Sequence, residues 1–224
     1  MTLGNRILAR QKIVSQDMVE KYRELPVANV SDCMSRMFAG GNNIRPLHNE
    51  GGLAGPALTV RCRPGDNLFL HKAIDLAQPG DVIVCDGGGD LTNALMGELM
   101  LIYAAKRGVA GFVLNGAVRD VEAIREFNLP LFAAGVTHRG PYKNGPGEVN
   151  VPVNFGGMII EPGDLVLGDS DGVLSVPYDS LDEVLAQAKS KQEAENKQMS
   201  EIHSGTVDRS WVDQTLKVSG CQMS

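Results

Sequence analysis

Apolar and polar positions along the chain follow two rhythms. In "GPALTVRCRPGDN" (55–67), Leu58, Val60 and Cys62 alternate with Thr59 and Arg61, the period of a β-strand, and a Pro-Gly-Asp turn closes the run. "PGDVIVCDGGGD" (79–90) reads as a turn, a buried strand and a glycine-rich loop, and "VAGFVLNG" (109–116) and "LPLFAAGV" (129–136) read as further buried strands. Between them "LFLHKAIDLAQ" (68–78), "TNALMGELMLIYAAKRG" (92–108) and "VEAIREFN" (121–128) have helical composition. Residues 79–136 therefore predict strand–helix–strand–helix–strand, the βαβ rhythm of parallel pairing.

The flanks differ. Residues 16–39 read as a helix, a proline stop and a second helix capped by Ser31 or Asp32. "THRGPYKNGPGE" (137–148) is too rich in Gly and Pro for regular structure, and 149–177 suggests several short strands. The last helix, 178–205, aligns Leu181, Val184, Leu185 and Ala188 on one stripe, and the tail beyond it reads as weakly ordered apart from Trp211. Pro-Gly-Asp recurs at 64–66, 79–81 and 162–164, each time before an apolar run; a repeated strand-opening turn explains this more simply than a duplicated domain. The pattern predicts an α/β fold with βαβ units, antiparallel β elements and a C-terminal helix, organised as one domain over 1–177 and a helix and tail over 178–224.

Composition narrows the function. With 43% hydrophobic and 21% charged residues and 26 glycines among 224, the chain has core enough to fold alone. A net charge of −6 and a pI near 5.2 leave no basic stripe for a phosphate backbone, so no nucleic-acid partner is expected. Cys33, Cys62, Cys85 and Cys221 show no CxxC spacing and no close histidine, against a zinc site, and Cys62 and Cys85 sit in apolar stretches as core residues do. No apolar run approaches membrane length and "MTLGNRILARQKIV" has no signal-type apolar region, so a cytoplasmic location is expected. Neither GxGxxG nor GxxxxGK[ST] occurs, which disfavours nucleotide binding and a methyltransferase.

Ligands of open α/β sheets gather at the carboxyl ends of strands. One predicted strand runs into "DGGGD", another into "NGAVRD", and "GELM" (97–100) lies between. If these loops face one pocket, it holds Glu98, Arg119, Asp120 and Glu122, with backbone N–H groups around Gly97. That set suits a small anion with two oxygen groups plus a hard divalent cation, as an α-keto acid with Mg²⁺ or Mn²⁺ requires. Simpler readings stay open: the Gly87–Gly89 run as a mere turn, Glu98 on a solvated helix face, Gly97 in mid-helix with its amide used internally.

Together "PGDVIVCDGGGDLTNALMGELM" and "GVAGFVLNGAVRDVEAI" resemble the class II pyruvate aldolases acting on 4-hydroxy-4-methyl-2-oxoglutarate and 4-carboxy-4-hydroxy-2-oxoadipate, a group that also contains the regulators of ribonuclease activity. The family hallmark is an acidic residue, 20 intervening residues, then Arg-Asp. Glu98, Arg119 and Asp120 match it, with glutamate where the family usually has aspartate. The likeness runs from "SDCMSRM" (31–37) through 149–177.

The resemblance implies a mixed-sheet swivelling β/β/α-type sandwich. It further implies a lyase that cleaves a 4-hydroxy-2-oxo acid to pyruvate, with oxaloacetate decarboxylation at the same site. By analogy the amides of Gly97, Glu98, Leu99 and Met100 hold the pyruvyl carboxylate, and Arg119 contacts the keto or enolate oxygen. Asp120 binds Mg²⁺ (or Mn²⁺ or another divalent cation), and Glu98 steers a water for proton transfer. A glutamate on the C-terminal helix of a neighbouring subunit, Glu195 or else Glu193, also reaches the site, within a homotrimer or homohexamer. Arg45, His48, His138 and Arg139 are candidates for reading the distal part of the substrate. The alternative is a non-catalytic, protein-binding regulator of ribonuclease E.

Overall fold

The computed structural model describes residues 3–38 and 40–222; Ala39, the end of the helical reading over 16–39, and the two residues at each terminus lie outside them. The chain forms two compact units, Met1–Ala188 and Lys189–Ser224.

The first unit opens with β1 (Asn5–Ile7), α1 (Gln16–Arg23), α2 (Val27–Cys33) and β2 (Arg45–Pro46). The central elements follow: β3 (Leu53–Cys62), α3 (Leu68–Leu76), β4 (Val82–Asp86), β5 (Ala94–Met96), α4 (Glu98–Lys106), β6 (Gly111–Val118), α5 (Val121–Phe127) and β7 (Leu131–Val136). Short strands come next, β8 (Gly147–Val149), β9 (Val153–Phe155), β10 (Met158–Ile160), β11 (Leu165–Asp169) and β12 (Gly172–Val176), and then α6 (Leu181–Ser204), whose first turns belong to this unit.

The main sheet has the order β1-β8-β3-β4-β6-β7-β2. β3, β4, β6 and β7 are parallel neighbours, as the βαβ rhythm predicts. Antiparallel pairing of β3 with β8 and β11, and of β2 with β7, makes the sheet mixed. Alternation along the strands sends successive side chains to opposite faces. Leu58, Ile83, Cys85, Phe112 and Leu114 pack with Leu70, Ile74, Leu101 and Ile124 of the helices. Val82, Val84 and Val113 face the other way, onto Val153, Phe155, Met158 and Ile160 of the β9–β10 hairpin. Both faces are covered, which is why these strands read as continuous apolar runs. A further cluster joins Val19, Tyr22 and Val30 to β11, β12 and the predicted stripe Leu181, Val184, Leu185 and Ala188.

The recurring Pro-Gly-Asp is one turn used three times. Gly65, Gly80 and Gly163 have φ of 73°, 91° and 94°, where glycine alone is unstrained. The aspartate that follows is buried each time and accepts backbone amides: Asp66 from Leu68, Asn144 and Gly145, Asp81 from Gln78, Asp164 from Glu161 and Tyr178.

Three expectations are corrected. α2 starts at Val27 behind Pro26, not after Ser31 or Asp32, because proline at the cap supplies a fixed φ and needs no N–H partner. The predicted helix 92–108 is interrupted: Ala94–Met96 are extended and pair with Ala117 and Val118, so tertiary pairing overrides their helical propensity. In the second unit the tail is not irregular, since α7 (Ser210–Val218) forms there with Trp211 exposed. Among the described residues no helix is long and apolar enough to cross a membrane.

Candidate active site

Gly97 is the N-cap of α4, not a mid-helix residue. The first intrahelical bond runs from Leu101 N–H to Gly97 C=O at 3.2 Å, so the amides of Glu98, Leu99 and Met100 precede the helical ladder. The Glu98 amide donates to Asp120 Oδ2 at 3.1 Å. Leu99 and Met100 supply the remaining first-turn donors, where the helix dipole favours an anion. Leu99 is 81% exposed, a wide opening for an apolar side chain beside this helix start.

Arg119 and Asp120 leave the carboxyl end of β6. Arg119 N–H donates to Met96 C=O at 3.0 Å, which ties the RD step to β5. Asp120 caps α5 with φ 60° and ψ 42°, a left-handed conformation that aspartate tolerates better than most residues but at some strain. Arg119 Nε lies 3.6 Å from Asp120 Oδ2, and the two side chains keep 44% and 42% of their exposure. At that exposure an ion pair stabilises a fold by at most about 1 kcal/mol. Among the described residues no hydrogen bond to Asp120 Oδ1 is made.

Gly97 is required by close approach. Its φ of −153° suits any residue. A Cβ there would run into Asp120 Oδ2 and meet Arg119 Cγ at 2.9 Å. The glycine is thus what lets the start of α4 and the RD step share one space.

A cavity of about 250 Å³ at this point is lined by Arg119, Asp120, Val136, Thr137 and His138. Thr137 N–H donates to Val118 C=O at 2.9 Å, extending the β6–β7 pairing into the loop. A Cβ on Gly140 would lie 3.4 Å from Arg119 Nη1, so the backbone of that loop flanks the guanidinium. Val136 and Thr137 were not singled out from sequence. The signal for them is topological, since the carboxyl end of β7 neighbours that of β6 in any parallel pairing of the two strands.

The other candidates separate. His138 lines the cavity, and Arg139 lies next to it with its carbonyl accepting the Ala94 amide. His48 is a core group, buried against Leu131 and Gly51 through hydrogen bonds and edge-on to the Phe132 ring. Arg45 Nη1 donates to Asp171 C=O at 3.0 Å. Glu122 is exposed in the first turn of α5. Glu193 and Glu195 lie in the second unit, where Glu195 pairs with Lys191 at 3.0 Å. The Gly87–Gly89 loop packs on the end of β6: Gly87 and Gly89 amides donate to Asn115 C=O, and Asp86 accepts from Asn115 and Gly88.

Among the described residues no group of three or more His, Cys, Asp and Glu side chains is placed to hold a metal. The carboxylates available here are that of Asp120, which lines the cavity, and that of Glu98, an exposed residue in the first turn of α4 whose backbone amide is bonded to Asp120. That set fits a cation such as Mg²⁺, which takes one or two carboxylates and completes its shell with water and substrate oxygen.

Comparison with known proteins follows this geometry. Residues 27–175 match the family model RraA-like, described as Aldolase/RraA. The chain is 42% identical over 176 residues, 79% of its length and 84% of the relative, to a Halalkalibacterium halodurans protein named "Putative 4-hydroxy-4-methyl-2-oxoglutarate aldolase". It superposes on an uncharacterized protein from Pseudomonas syringae pv. tomato with a TM-score of 0.79, at 27% identity, covering 88% of this chain and 96% of that one. It also superposes on the RNA-processing inhibitor RraA from Thermus thermophilis with a TM-score of 0.64, at 34% identity, covering 69% and 93%. The chain belongs to the RraA-like family, Aldolase/RraA, and the cavity at the carboxyl ends of β6 and β7 lies within the matched residues.

Proposed function

We propose that the protein is a divalent-metal-dependent lyase that cleaves a 4-hydroxy-2-oxo acid of the 4-hydroxy-4-methyl-2-oxoglutarate type to pyruvate. The observation that supports this most directly is the close approach at Gly97, where the start of α4 meets Arg119 and the carboxylate of Asp120 beside the cavity. Asp120 would hold the divalent cation, which would supply Lewis-acid polarisation of the 2-oxo oxygen. The Leu99 and Met100 amides take the adjacent carboxylate.

Each remaining group then has one task. Glu98 removes the C4 hydroxyl proton through an intervening water. The C3–C4 bond breaks as C4 becomes a carbonyl, and its electron pair passes to the pyruvyl half as an enolate. Arg119 donates to the oxygen on which that charge collects, with a planar fork suited to it. Protonation at C3 completes pyruvate. Oxaloacetate reaches the same enolate by loss of CO₂, so decarboxylation is expected as a side activity. Among the described residues no lysine lines the cavity, consistent with a route that needs no Schiff base.

Pyruvate release coupled to lactate dehydrogenase tests the proposal, with 4-hydroxy-4-methyl-2-oxoglutarate and oxaloacetate supplied separately, each with Mg²⁺ and with EDTA. Mg²⁺-dependent pyruvate from the hydroxy acid supports the lyase. Pyruvate from neither substrate favours the protein-binding regulator of ribonuclease E. A homotrimer or homohexamer in which a neighbour's Glu195 approaches the site belongs to the same proposal, and light scattering of the purified protein tests the assembly.

A further inference from the structure

Two thiols meet in the core at a point the proposed chemistry does not use. Cys62 ends β3, and Cys85 lies in the parallel neighbour β4, opposite Val60. Both face the helical side of the sheet, and Cys85 Sγ–H donates to Cys62 Sγ at 3.7 Å. Cys85 is enclosed. Cys62 borders an open cavity of about 330 Å³ whose walls include Arg61, Arg63, Pro64 and Gly88. Among the described residues no third His, Cys, Asp or Glu joins the pair in a metal-holding group. Two sulfurs without a third ligand do not make a closed site for a divalent metal. The chemistry open to such a pair is its own oxidation.

We propose that Cys62 and Cys85 form a redox-active pair that closes reversibly to a disulfide on reaction with a hydroperoxide. Cys62, which is 5% exposed and is the residue of the pair that borders a cavity, attacks a peroxide oxygen. The O–O bond breaks, Cys62 is oxidised to a sulfenic acid, and hydrogen peroxide is reduced to water that carries off the Cys62 proton. Cys85 sulfur then attacks Cys62 sulfur. The S–O bond breaks, and the hydroxyl leaves with the Cys85 proton as a second water. Two thiols and one hydrogen peroxide thus give one disulfide and two waters. The order of attack agrees with the hydrogen bond: donation to Cys62, together with burial, pushes the Cys85 thiol well above its usual range, which keeps its proton in place until Cys62 has been oxidised. The cross-link would tie the ends of β3 and β4, from which the Pro64–Gly65 turn and the Gly87–Gly89 loop continue. These already touch, since a Cβ on Gly88 would lie 2.9 Å from Pro64 Cγ.

The test uses the full chain carrying Cys33→Ser and Cys221→Ser, so that only the native pair remains. Cys221 is exposed, and Cys33 is partly buried against a core cluster that does not include the pair, so folding of the variant is checked by its thermal unfolding. After hydrogen peroxide, the denatured protein is alkylated and weighed intact, before and after dithiothreitol. The expected product has lost two hydrogen atoms, takes up no alkylating agent, and recovers two thiols on reduction. Any of three results overturns the proposal: added oxygen that reduction does not remove, a cross-link between chains, or two thiols still alkylated at a peroxide dose that oxidises Cys221 in the unsubstituted chain.

Discussion

The carboxylate of Asp120 accepts the backbone N–H of Glu98 at 3.1 Å, joining the cap of one helix to the first turn of another across 22 residues of sequence. Neither the exposed Arg119–Asp120 pair nor the left-handed backbone of Asp120 accounts for this arrangement as a stabilising device, because the first contributes little and the second opposes folding. The proposed role in binding a cation and an oxygen anion would account for both.

Asp120→Asn keeps a side chain that tolerates the left-handed region and removes the charge. Mg²⁺-dependent pyruvate release is expected to fall at least about 100-fold, the scale seen when a metal site loses an essential interaction. The unfolding free energy from urea titration should stay within about 0.5 kcal/mol of the parent, as for ordinary surface changes. Near-normal turnover would remove Asp120 from the site.

Arg119→Lys keeps the positive charge but loses the planar fork. Steady-state kinetics should show kcat reduced about 100-fold to 1,000-fold, the range for losing a donor to a developing oxyanion. A change confined to KM would mean that Arg119 only binds the ground state.

Gly97→Ala places a methyl group against Asp120 Oδ2 and Arg119 Cγ. Overpacking of this kind destabilises by about 1–3 kcal/mol, and a shift of about 1 Å in the reacting groups lowers turnover about 100-fold. Thermal unfolding and coupled pyruvate release, measured together, check both effects.

Asp164 is held above its ordinary value of 3.8 by burial, against the pull of the Glu161 and Tyr178 amides. With the folded pKa raised, the folded state binds the proton more tightly than the unfolded state does. This group's contribution is therefore full below pH 3.8 and is lost as pH rises through the folded pKa. Urea unfolding of the parent and of Asp164→Asn from pH 3.5 upward should show the parent losing stability relative to the variant over that window. A constant difference would contradict the sign.

Tyr22 is buried, and its hydroxyl donates to the Leu181 carbonyl at 2.6 Å, with burial pushing the phenol above its usual range. Tyr22→Phe leaves that carbonyl without this donor, and urea unfolding should register a loss of about 1–3 kcal/mol. Pyruvate release at low temperature should be unchanged, because Tyr22 packs with α6 and β11 rather than at the cavity.

What the sequence determined by itself was whatever depends on local period and turn chemistry. The alternation of Leu58, Val60 and Cys62 marked a β-strand, and the apolar runs at 82–85 and 109–114 marked buried strands in the βαβ rhythm of parallel pairing. Pro-Gly-Asp marked the turns because a glycine at positive φ and an aspartate reaching back to an amide are local requirements. The spacing of Glu98, Arg119 and Asp120 was visible through the family resemblance, and Arg119 and Asp120 stand where the pattern ended one strand and began the next helix.

Only the tertiary structure decided the rest. Ala94–Met96 have helix-favouring composition and become a strand because β6 offers unpaired backbone groups beside them, which in turn puts Gly97 at a helix start rather than inside a helix. His48 looks like a binding residue in the sequence and is a core hydrogen-bonding group, because Leu131 comes beside it from 83 positions away. Val136 and Thr137 enter the cavity only through the pairing of β7 with β6. Period and propensity act over a few residues, whereas these outcomes depend on which backbone donors and acceptors the packed sheet leaves to be satisfied.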